Sequence, residues 1–146
     1  MTFALTLVFV MAGGSLGALA RFLGQRFAAN HTSWPGWVPI LIINVLGSLM
    51  IGAAVAWLSL DIKALKLEDL SPFDRASETL ALNDLIALIA VGFCGAFTTF
   101  STFSLDNYFL SIENKGHMLI NMIATTGLAY GAVMIGWHLG TMAAGS

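Results

Sequence analysis

"GFCGAFTTFSTFS", residues 92–104, lies in the middle of the third long apolar stretch of the chain. Its thirteen positions hold two glycines, four phenylalanines and five hydroxyl residues, with no charge among them. Polar groups in hydrocarbon must be paired or must line a water-filled path. Gly92 and Gly95 weaken a helix that already contains β-branched Thr98 and Thr99, which predicts an interruption near residues 95–98. So the stretch reads as a broken membrane helix carrying a polar track.

The surrounding chain supports a membrane setting. Its 146 residues are 58% hydrophobic and 10% charged, with a mean hydropathy of +0.84, whereas a soluble domain carries about 25% charged residues. Nine of the fourteen charges fall between Asp61 and Asp84, leaving charge-free runs at 1–20, 27–60, 85–105 and 116–146. A spanning helix needs about 20 mainly apolar residues, so each run holds one helix. The expected fold is an all-α integral membrane protein with four transmembrane helices, Phe3 to Arg26, Pro39 to Leu60, Asp84 to Tyr108 and Lys115 to Leu139. Together they form a single domain over 1–146, with a soluble connector at 61–83. The first helix is read as retained, because no basic residue follows Met1 and the apolar run exceeds the usual signal length. Within the connector, "DIKALKLEDL" spaces leucine and isoleucine for a short amphipathic surface helix.

Several function classes drop out. Cys94 is the single cysteine, and His31, His117 and His138 stand apart with no HxxxH or HExxH pattern, so no metal-ligand set is visible. There is no GxGxxG, P-loop, basic run or internal repeat, and no nucleophile and base pair. The chain reads as neither an enzyme nor a nucleic-acid partner; its surroundings are the lipid bilayer.

Orientation is undetermined by charge. With four spans, Lys63, Lys66 and Arg75 share one side while Arg21, Arg26 and Lys115 share the other, so the positive-inside rule favours neither orientation. A chain that inserts both ways suggests an antiparallel homodimer. Small residues at Gly13 and Gly17, Ser48 and Gly52, Gly127 and Gly131, and Gly136 and Gly140 mark faces for close helix packing.

The functional candidates are the polar residues inside the spans: Asn44 in the second helix, Thr98, Thr99, Ser101, Thr102 and Ser104 in the third, Asn121, Thr125 and Thr126 in the fourth. Asp84 and Asp106 are placed at or near the ends of the third helix, so no interior carboxylate is expected for a cation or proton antiporter. Amide and hydroxyl donors, with the positive edges of Phe100 and Phe103 three residues apart, suit a small unhydrated anion.

These residues carry a family resemblance. "GFCGAFTTFSTFS" resembles the signature of the Fluc (CrcB) fluoride channels, and "GGSLGALARF" (13–22) and "NVLGSLMIG" (44–52) resemble that family's motifs in the first two helices, in the same order. The resemblance implies a dual-topology antiparallel homodimer in the cell inner (plasma) membrane, conferring fluoride resistance through two fluoride pores, with a structural sodium ion (Na+) at the dimer centre. It implies pore roles for Asn44, Phe100, Phe103, Ser101 and Thr102, and backbone-carbonyl ligation of sodium by Gly95 and Thr98. Arg21 matches the arginine that draws anions into the vestibule. In the fourth helix Asn121 and Thr125 align with a polar track, while Ala129 falls where a further hydroxyl is expected. The connector is longer than a minimal member needs. Two other readings share the outline: a four-helix small multidrug-type exporter, which needs a membrane-embedded glutamate, and a structural membrane partner that uses the polar cluster for packing alone.

Overall fold

The structure is a computed structural model that describes residues 2–64 and 83–144. It is built from α1 (Thr2–His31), α2 (Trp37–Ala64), α3 (residues 83–97), α4 (Phe100–Glu113) and α5 (Lys115–Ala144), with no strand among the described residues. α3 and α4 are halves of one span, so four spans are long and apolar enough to cross a membrane. Thirty-residue helices such as α1 and α5 reach about 45 Å, beyond the roughly 30 Å hydrocarbon core. Accordingly α1 continues to His31, α4 to Glu113 and α5 to Ala144, past the ends suggested by charge and hydropathy. α2 also absorbs 61–64, the start of the expected connector; the rest of its amphipathic segment lies outside the described residues.

The helix ends have local causes. After α1, the Ala28 carbonyl accepts both the Thr32 N–H at 3.0 Å and its hydroxyl at 2.7 Å. The chain then turns at Pro35, which cannot continue a helix, and Pro39 sits in the first turn of α2 where proline is tolerated. Between α4 and α5 a single extended residue, Asn114, suffices. Its N–H closes α4 on the Leu110 carbonyl at 2.8 Å, and its Oδ1 accepts the N–H groups of Gly116 and His117 at 3.0 and 3.1 Å. That is an N-cap, satisfying donors that a helix start leaves free. Asp84, at the positive start of α3, accepts the Thr6 hydroxyl at 2.6 Å and ties α3 to α1.

Two helix pairs meet through glycine. A methyl added at Gly13 or Gly17 of α1 would run into the carbonyls of Leu88 or Phe93 in α3. Likewise Gly52 of α2 lies against the Val133 carbonyl of α5, and Gly136 and Gly140 lie against the carbonyls of Leu49 and Ala53. Lipid tails offer no hydrophobic drive for helix association, so this backbone-to-backbone fit is what holds the pairs. Gly127 and Gly131 make no such contact within the chain: nothing among the described residues stands within 4 Å of where their Cβ atoms would be. At 100° per residue, Gly131 is turned roughly 140° from Gly136, so that pair faces away from α2.

The third span breaks later than its glycines suggest. Gly95 stays helical (φ −63°, ψ −36°), while Thr98 (−74°, 158°) and Thr99 (−149°, 120°) are extended before α4 restarts at Phe100. Upstream, Ala87–Cys94 carries the i→i+5 bonding of a π-helix. Gly92 serves close packing, its added methyl meeting the Val10 carbonyl at 2.8 Å. The β-branched threonines, at ease in extended backbone, make the break.

Candidate anion pathway

The break is held from both sides. Asn44 of α2 accepts the Thr99 N–H on its Oδ1 at 2.8 Å and donates its Nδ2 to the Thr99 carbonyl at 3.1 Å. Arg21 of α1 donates to the Thr98 carbonyl at 3.3 Å, and the Thr98 N–H and hydroxyl both go back to the Cys94 carbonyl, at 3.0 and 2.9 Å. Arg21 is therefore half-buried at the break itself.

Thr99 is also the hub of the hydroxyl cluster. Its buried Oγ1 lies 3.2 Å from the Ser101 hydroxyl and 3.1 Å from that of Thr102, and accepts the Thr102 N–H at 3.2 Å as the N-cap of α4. The sequence reading gave Thr99 no role of its own. The signal was there: a threonine just before a helix start and three residues ahead of the N–H it caps.

An open cleft of about 490 Å³ brings together Asn44, Gly95, Thr98, Phe100, Phe103 and Thr125, with Thr99 in its wall. The rings of Phe100 and Phe103 stand 5.9 Å apart at 43°, and Phe100 is 79% exposed. Ser101, Thr102, Arg21 and Asn121 are not in that wall. Asn121 is buried: it donates to Asn107 Oδ1 at 3.2 Å and accepts the Thr125 hydroxyl at 2.9 Å. Asn107, which the sequence reading passed over, donates in turn to the Phe103 carbonyl at 2.8 Å, so this network ties α5 to α4.

A second cavity, about 370 Å³, opens beside the α1–α2 connection, where Gln25 and Thr32 face Thr102 and Asp106. Asp106 corrects an expectation. Because α4 extends to Glu113, this residue lies inside the span, half-buried, and its Oδ2 has no hydrogen-bond partner among the described residues. The third span therefore carries an interior carboxylate.

The cleft presents amide, hydroxyl and ring-edge groups, an arrangement that can exchange for part of an anion's hydration, while the cavity adds amide and hydroxyl groups beside the Asp106 carboxylate. Residues 8–137 match the family profile described as CrcB-like protein, Camphor Resistance (CrcB). The chain is 33% identical over 143 residues to the "Fluoride-specific ion channel FluC" of Vibrio cholerae, covering 94% of this chain and 96% of that one. It is 37% identical to the protein of the same description from Gluconobacter oxydans, over 90% of this chain and 81% of the relative. For the Francisella philomiragia protein of that description the identity is 38%, over 80% and 77%.

Proposed function

The chain belongs to the CrcB-like family, and from that premise we propose that it is a passive, fluoride-selective channel of the cell's plasma membrane. The observation that carries the reading is the likeness, along nearly its whole length, to proteins described as fluoride-specific ion channels. The cleft beside the helix break adds a donor set of the right chemistry. Asn44, Ser101 and Thr102 supply amide and hydroxyl hydrogens along the route, Thr125 lines it with its own hydroxyl donated to Asn121 behind it, and Phe100 and Phe103 supply ring edges. Arg21 adds positive charge near the break and favours anion entry.

The proposal includes an antiparallel homodimer. Supporting it are the near balance of basic residues between the two sides, Lys63, Lys66 and Arg75 against Arg26 and Lys115 once Arg21 is taken up by the break, and the open cleft with Phe100 at its edge. A structural sodium on the two-fold axis belongs to the same reading. The Gly95 carbonyl suits it: its helical donor, the Thr99 N–H, is taken by Asn44, and the space beside Gly95 is open. The Thr98 carbonyl already accepts from Arg21, so it would ligate through its second lone pair. Hard carbonyl oxygens suit sodium, which would supply charge and cross-linking at that point.

The test is efflux from liposomes holding purified protein. Fluoride should leave down its gradient with little chloride and with no need for a proton gradient; equal release of the two anions would overturn the reading.

A further inference from the structure

We infer that Asn44 is a positioning residue that keeps the third span broken by standing in for a backbone partner of Thr99. In an unbroken helix the Thr99 N–H would donate to the Gly95 carbonyl. Here that N–H goes to Asn44 Oδ1 at 2.8 Å, and the Thr99 carbonyl receives Asn44 Nδ2 at 3.1 Å.

The match is one of shape. An extended residue presents its N–H and C=O on the same side, as a strand does to the residue it pairs with across a ladder. Thr99, at φ −149° and ψ 120°, has that form. A carboxamide carries one acceptor and one donor group side by side, like a peptide unit. Asn44 thus acts as a one-residue strand edge projecting from α2. Aspartate keeps the acceptor but has no donor, and alanine has neither.

The setting makes the substitution consequential. Thr99 is buried, so an unpaired N–H there is costly. Without Asn44 the helical acceptor for that N–H is the Gly95 carbonyl, and taking it would run α3 into α4 as a continuous helix. Asn44 therefore decides, from another span, whether the Gly95 carbonyl is free. This inference concerns the fold; only its bearing on anion flux rests on the channel reading.

The test uses isotope-labelled full-length protein in lipid bilayers. Magic-angle-spinning NMR of the parent should give a cross-hydrogen-bond correlation between the Thr99 amide nitrogen and the Asn44 side-chain Cγ. A correlation from Thr99 to the Gly95 carbonyl carbon in its place would overturn the inference. Amide exchange provides the second arm. In Asn44→Ala the segment 98–100 should either exchange at least tenfold faster or acquire helical chemical shifts, while Asn44→Asp, which retains the acceptor, should keep Thr99 within threefold of the parent. Parent-like shifts and exchange in Asn44→Ala would also overturn it. Protein that releases no fluoride yet gives the Thr99–Asn44 correlation would remove the channel reading and leave this one standing.

Discussion

The hydroxyls of Thr99 and Thr102 lie 3.1 Å apart, and they stand between two spaces: Thr99 is in the wall of the cleft beside Phe100, and Thr102 is in the wall of the cavity holding Asp106. On the proposed channel reading, an anion passing from one space to the other would meet this pair of hydroxyls.

Replacing either hydroxyl by a methyl isolates that contribution. Thr102→Val should slow fluoride efflux by about five- to thirtyfold, the scale of one lost hydrogen bond of about 1–2 kcal/mol, while leaving size-exclusion behaviour unchanged. Thr99→Val should slow it too, and in addition lower stability by about 1 kcal/mol, because it removes the cap of α4. Efflux from Thr102→Val at the parent rate would place the route elsewhere.

The exposed ring of Phe100 and its neighbour Phe103 are predicted to act through their edges. Phe100→Ile and Phe103→Ile keep bulk and lose the quadrupole. Each is expected to cut fluoride flux severalfold with assembly intact, as measured by ion-selective electrode on liposomes. Parent-like flux from both would exclude the rings.

Packing of α2 on α5 gives a paired prediction. Gly136→Ala sets a methyl against the Leu49 carbonyl and should destabilise by about 1–3 kcal/mol, the usual scale of overpacking. Gly127→Ala faces open space and should leave the unfolding midpoint of the single chain near that of the parent. Detergent unfolding curves compare the two, and equal midpoints would refute the packing.

Sodium removal is the remaining check. Exchange of sodium for a large organic cation on both sides of the membrane should lower fluoride flux and loosen the dimer, and returning sodium should restore both. Subunit exchange between differently labelled proteins reads the dimer without reference to flux. Unchanged flux and unchanged exchange would remove sodium from the account.

Much of this architecture was legible in the sequence because hydrocarbon is a strict solvent. Charge-free runs of spanning length leave little choice but helices, and a cluster of hydroxyls around Thr98 and Thr99 has to be satisfied. What escaped was whatever depends on a second element. An interruption near 95–98 was expected from the glycines, and it falls at the end of that range, where Asn44 from α2 captures the Thr99 backbone. The direction of Gly127 and Gly131 depends on which face of α5 meets α2, and both faces carry a glycine pair. Asp106 was judged from where hydropathy falls, whereas α4 continues to Glu113. Asn121 and Thr125 were assigned together, yet Thr125 reaches the cleft while Asn121 spends its amide on Asn107.

The π-helical stretch of α3 bears on how such a chain changes length over time. In an ordinary span a deleted residue turns everything downstream by about 100° and carries the lining side chains into lipid. In Ala87–Cys94 the ladder already runs i→i+5, and the buried residues Ala87 and Gly92 are spaced by five. Tightening that ladder to i→i+4 would absorb the loss of a residue before the change reached Thr98. A residue deleted within Ala87–Cys94 of this chain should therefore leave the break beyond it in register.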